Sequence, residues 1–154
     1  MGRHVVTYAV FSQEPGQKPP FEKLATNATR FFSATLELGE QTETTVTVRL
    51  VVSRPHLTGD FRIASRGTMP DDMARARDAE ARGRAGGMAA LAAKCAHIWT
   101  LEPGGVEPPS EAAYLTLAAI CASVALGPVV PPDGATLFGV RGSIERRDKA
   151  IAVG

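Results

Sequence analysis

The side chains in this sequence that could do chemistry are few: Cys95 with His97, Cys121, His4 and His56, the glycine-flanked Gly139-Val140-Arg141-Gly142, and the basic group Arg146, Arg147 and Lys149. Cys95 and His97 would support nucleophilic catalysis if the imidazole could take the thiol proton. At two-residue spacing their side chains share a face only on a strand. The pattern predicts that a helix with Met88, Leu91, Ala92 and Cys95 on one face ends between them. Cys95 is therefore read as a small apolar residue of that face, and Cys121, inside a long uncharged run, as a buried one. The three histidines lie far apart in sequence and lack the paired spacing of a ligand set, so no metal site is expected.

Gly139 to Gly142 follow a predicted strand, and their backbone amides with the Arg141 cation could meet a phosphate. The segment lacks the lysine and length of a P-loop and the third glycine of a dinucleotide fingerprint, and its glycines equally fit a bulge or kink. Arg146, Arg147 and Lys149 have Glu145 and Asp148 as neighbours and no aromatic for base stacking, which reads as a charged turn rather than a nucleic-acid patch. Asn27-Ala28-Thr29 matches a glycosylation sequon but falls inside a predicted helix. No residue is assigned a catalytic, cofactor-binding or metal-ligating role.

Composition narrows the field further. The chain has 154 residues, 44% of them hydrophobic, enough to bury one good core, and a single domain over 1–154 is expected. Seventeen basic and sixteen acidic side chains give a net charge of +1, which provides no global attraction to nucleic acid or an anionic membrane. Residues 5–11 are too short for a signal-peptide core, and Val6 occupies the place where a myristoylation motif needs Ser or Thr. Two cysteines are too few for a disulfide framework, so a reducing cytoplasm is the expected location.

The elements that must position these groups follow from periodicity. Residues 112–132 form an uncharged run of 21 positions, but Gly127-Pro128 interrupts it and leaves only 112–126 as one helix, too short for a bilayer, which needs roughly 20 residues. Tyr114, Leu117, Ala118, Cys121, Val124 and Ala125 occupy one broad face, and Thr116 and Ser123 lie on a narrow opposite stripe. This helix is expected to be buried nearly all round, enclosed by terminal strands or by another subunit.

Ahead of it, 5–11 reads as a buried strand, 12–20 as a turn-rich stretch, and Phe21, Leu24, Ala28, Phe31, Phe32 and Leu36 as one face of a helix ending near Gly39. Period two over 45–52 predicts a strand, paired as a hairpin with a short one at 61–63. Pro70, Asp71 and Asp72 open the next helix. Asp71 with Arg75, Asp78 with Arg82 and Glu80 with Arg84 form acid-before-base pairs along it, and Gly83, Gly86 and Gly87 predict a break. A strand at 96–101, Ser110 as a cap for the uncharged helix, a strand at 136–140 and a charged turn leading into 150–153 complete the chain.

This order implies an α+β fold: a ferredoxin-like βαββαβ layout, helices on one face of a largely antiparallel sheet, with an added buried C-terminal helix and one or two terminal strands. The scarcity of chemistry points to a non-catalytic cytoplasmic protein-interaction or assembly module. Arg77 and Arg84, which lie on the stripe that turns apolar at Met88 and Leu91, form the candidate interface with a protein partner or a second copy. The alternative is a small enzyme or a small-molecule or anion-binding domain, with a pocket between sheet and helices and Arg141 or His97 as its polar group. Neither reading involves nucleic acid or a membrane.

Overall fold

The computed structural model describes residues 7–153. Their order is β1 (Tyr8–Ser12), α1 (Phe21–Phe32), β2 (Ala34–Gln41), β3 (Thr45–Val52), β4 (Leu57–Gly67), α2 (Pro70–Gly83), α3 (Met88–Ala92), β5 (His97–Pro103), α4 (Glu111–Ala125), β6 (Val129–Val130) and α5 (Val140–Val153). The strands form one six-stranded antiparallel sheet in the order β2-β3-β4-β5-β1-β6. The fold is α+β, as the alternation of periods implies, but its strand order is not that of the ferredoxin-like layout. There the first strand sits inside the sheet beside the third; here β5 lies between β4 and β1.

The second departure is in the layers, and the side chains explain it. Strand β1 is buried along its whole length. Tyr8 and Val10 join the core beneath α1 and α4, while Ala9 and Phe11 join Ile98 and Val130 in a second apolar cluster with Ala76, Ala79 and Ala92 of α2 and α3. An apolar second face must be covered, so α2 and α3 pack on the side opposite to α1, α4 and α5. The β2-β3-β4 meander has only one covered face. Its open face carries Arg49 against Asp60 and Arg62 against Glu102, each pair directly opposite in register.

Four local expectations are corrected. The helix read through Leu36 stops at Phe32: Ser33 takes the left-handed conformation at φ 51° and its N–H bonds back to the Ala28 carbonyl. Ala34 and Leu36 then turn inward on a strand, because their spacing fits period two as well as the helical period. The strand paired with β3 is not confined to 61–63; β4 runs for 11 residues and pairs with both β3 and β5. At the C-terminal end, 136–140 is no strand beyond one bridge between Phe138 and Val129, and 150–153 belongs to α5. Val140, Ile144 and Ala150 of α5 face the core.

In α2 none of the three predicted acid–base pairs closes among the described residues. Asp72 instead takes Arg66 through two bonds of 2.7 and 2.8 Å and accepts the Met69 N–H at 2.8 Å, tying the helix start to β4. These contacts hold its carboxyl below the usual range, with the Arg66 hydrogen bond the largest cause.

The uncharged helix fulfils its expectation. Twelve of the fifteen residues of α4 are buried, against β1, α1 and α5, so a terminal helix rather than terminal strands encloses it. Its polar stripe is satisfied internally: Thr116 donates to the Ala112 carbonyl at 2.8 Å, and Ser123 donates to Ile120 at 2.6 Å while accepting Asn27 of α1 at 3.0 Å. No helix among the described residues is long and apolar enough to cross a membrane.

Candidate functional site

Where β1, the start of α4 and the C-terminal half of α5 converge, the molecule opens into a cleft of about 1250 Å³. Three aromatic residues line it. Tyr8 stands on β1 opposite Leu101 and so faces α4. Tyr114, in the first turn of α4, stacks on it with ring centroids 5.4 Å apart and 24° between planes. Phe61 of β4 meets Tyr114 edge-on at 5.0 Å from below, fixing the tilt of that ring.

Phe138 forms the third aromatic part of the wall. It is held to Val129 by two backbone hydrogen bonds of 2.7 and 3.1 Å. A Cβ at Gly142 would lie 2.6 Å from the Phe138 Cβ, so only glycine lets α5 approach this closely. One turn further along α5, Arg146 lays its guanidinium over the Phe138 ring, 4.4 Å from the centroid. Lys149 of α5, Glu111 at the start of α4 and Asp133 in the loop after β6 complete the charged lining.

Tyr8 is only 7% exposed, and among the described residues its hydroxyl has no hydrogen-bond partner. Burial, then the nearby Glu111 and Asp133 carboxylates, push its phenol up to about 12, while Arg146 works in the opposite direction. At neutral pH this group is a protonated donor and no general base. Burial also raises the Tyr114 phenol, with Glu102 a smaller cause.

The residues singled out by the sequence occupy other places. Cys95 is buried against α3 and donates to the Leu91 carbonyl at 3.5 Å; burial alone raises its thiol to about 11. His97 hydrogen-bonds through Nδ1 to the Glu14 carbonyl at 3.1 Å, and no hydrogen bond joins it to Cys95. Cys121 is fully enclosed in α4, and burial pushes its thiol far above the ordinary range. His4 lies outside the described residues, and His56 lines the rim of the cleft from the loop after β3. Gly139-Val140-Arg141-Gly142 does not follow a strand but opens α5, where Gly142 serves packing and Arg141 is exposed away from the cleft. Of the basic group, Arg146 and Lys149 reach the cleft and Arg147 pairs with Asp148 at 3.0 Å; this is a helix, not a turn.

Arg77 and Arg84 are both exposed, but no continuous stripe joins them to Met88 and Leu91. Helix α2 ends at Gly83, Arg84 adopts the left-handed conformation at φ 53°, and α3 begins separately at Met88. A second, smaller cleft of about 500 Å³ lies on the α2 side of the sheet. Of its three arginines, Arg66 is engaged by Asp72 and Arg75 by the Pro131 and Pro132 carbonyls at 3.3 and 3.4 Å, while Arg82 is in no ion pair among the described residues.

Sequence reasoning missed Tyr8, Tyr114 and Phe138 as a group, because each fits the apolar pattern of its own element. The available signal was the phenol itself. A tyrosine placed where the pattern demands burial carries a hydroxyl that needs a partner, and Tyr8 and Tyr114 both do so. No family model, curated protein or solved structure matches this chain.

Proposed function

We propose that this α+β domain binds a small molecule in the cleft between β1, α4 and α5 and acts by binding rather than by turnover. One observation carries the reading: a nearly buried tyrosine, Tyr8, lines an otherwise largely apolar cleft with its hydroxyl unpaired by the described protein groups. The ring is buried but the hydroxyl opens on the cleft, where a ligand atom can replace water as its partner. Concave, mostly apolar sites with a few convergent polar groups are where proteins take small ligands. Support for binding without turnover comes from the nucleophiles: both thiols are buried away from the cleft and the Tyr8 phenol stays protonated.

Tyr8→Phe tests this directly. In a ligand-observed NMR screen of small aromatic fragments, the native protein should yield hits that Tyr8→Phe binds about tenfold more weakly, the value of roughly one hydrogen bond. The unliganded variant should stay within about 1 kcal/mol of the parent, because the hydroxyl opens on the cleft. A screen with no hit at millimolar concentration, or hits indifferent to Tyr8→Phe, would overturn the reading.

A second reading, association through α2, is favoured by Arg77 and Arg84, which are exposed and in no ion pair among the described residues. It expects Arg77→Ala with Arg84→Ala to lower self-association in sedimentation velocity while circular dichroism stays unchanged. Equal sedimentation of the two proteins removes α2 as a self-contact.

A further inference from the structure

The small-molecule reading leaves the chemistry of the ligand open, and the charges around the cleft narrow it. Two cations, Arg146 and Lys149, come from α5; two carboxylates, Glu111 and Asp133, come from the start of α4 and the loop after β6. None of these four takes part in an ion pair among the described residues. Opposite charges that share one cleft without closing on each other leave a gap that a dipolar molecule bridges. A ligand with a single sign of charge would be attracted by one pair and repelled by the other.

We infer that the ligand is a zwitterion with an aromatic body, either a free aromatic amino acid or a short peptide carrying such a side chain. Arg146 sits over the Phe138 ring and is in no ion pair among the described residues, so its guanidinium N–H groups are free to take a carboxylate. The Tyr8 hydroxyl stands in the same cleft as a further hydrogen-bonding group. The ammonium end is matched by Glu111 and Asp133, whose negative field already bears on Tyr8. Tyr8 and Tyr114 offer the aromatic surface for the body. The cleft, about 1250 Å³, exceeds the roughly 300–1,000 Å³ of ordinary ligand sites, so it has room for a dipeptide as well as for one amino acid.

The inference rests on the small-molecule reading, and the test separates the two. Isothermal titration calorimetry is run on the full chain with L-phenylalanine, L-phenylalanyl-L-phenylalanine, 3-phenylpropionate, which lacks the ammonium, and 2-phenylethylamine, which lacks the carboxylate. At least one zwitterion should bind, and each singly charged analogue should bind at least tenfold more weakly. Arg146→Gln should remove the advantage over the amine, and Glu111→Gln with Asp133→Asn the advantage over the acid. The latter two residues are exposed, so their replacement leaves the fold intact. The tighter zwitterion identifies the source, peptide or amino acid. If the acid or the amine binds as tightly as its zwitterion, the dipolar ligand is wrong while the cleft remains a binding site. The same holds if none of the four binds but uncharged fragments do. If neither these probes nor the fragments bind, both the ligand class and the small-molecule reading fall.

Discussion

Gly127→Ala is expected to destabilise the protein by about 3 kcal/mol and to lower its melting temperature by roughly 9 °C. Gly127 follows Leu126, the left-handed residue at φ 58° that ends α4, and the chain there passes directly over β1. An added Cβ would overlap the Phe11 carbonyl oxygen, lie 2.6 Å from the Phe11 carbonyl carbon and 2.9 Å from the Cys95 Sγ. Two of these three atoms are backbone, so no side-chain rotation relieves the overlap. Nor can the segments slide apart cheaply. On either side of the contact the Phe11 N–H bonds to the Pro128 carbonyl at 3.0 Å and the Gln13 N–H to the Ala125 carbonyl at 2.8 Å. Gly86→Ala is the control: its Cβ would meet nothing within 4 Å, so its effect should stay within about 0.5 kcal/mol. Urea denaturation followed by circular dichroism measures both. A Gly127→Ala protein within 1 kcal/mol of the parent would show that α4 and β1 do not approach this closely.

That contact also shows what the sequence could and could not convey. The fate of α4 was legible, because an uncharged run broken by Gly127-Pro128 has one physical solution, a short helix buried on nearly every side. So were β3, the break after Gly83 and the cap at Ser110, which accepts the Ala113 N–H at 3.2 Å; each depends on neighbours within a few residues. Strand β2 was hidden because Leu36 satisfies the helical period and the strand period equally. Only the left-handed Ser33, a conformation most side chains avoid, separates the two elements. The sheet order was hidden for a different reason. Placing β5 between β4 and β1 depends on α2 and α3 crossing the second face, and the alternation of Ala9 and Phe11 with Tyr8 and Val10 states that β1 has two buried faces without stating what covers each. The candidate site is the least legible part. Tyr8, Tyr114, Phe138 and Arg146 come from four segments spread over 138 positions, 146 minus 8, and only the packing of α5 against α4 and Phe138 brings them to one cleft.

The largest single core effect is expected at Trp99, the only tryptophan of the chain. It is fully buried on β5 between its register partners Ser65 of β4 and Val10 of β1, and it joins the meander to the α4 core. Trp99→Ala should cost about 4 kcal/mol, the transfer of a large ring plus the cavity left behind. Trp99→Phe should cost far less than its lost volume implies. The indole Nε1 and the Ser65 Oγ are both buried without hydrogen-bond partners among the described residues. Phenylalanine removes a donor whose unpaired burial costs about 1–3 kcal/mol, which offsets much of the lost contact, so the net change should be within about 1 kcal/mol. By the same reasoning Ser65→Ala should be neutral or stabilising by about 1 kcal/mol. Because the two side chains face each other across the strands, their effects need not add, and a double-mutant cycle measures the coupling. Chemical denaturation monitored by far-ultraviolet circular dichroism is the suitable probe, since tryptophan fluorescence disappears with the residue. A Trp99→Phe protein as unstable as Trp99→Ala would mean that the N–H is paired after all, or that the ring shape itself locks β4 to β1. The first possibility predicts that Ser65→Ala also destabilises, and the second that it does not.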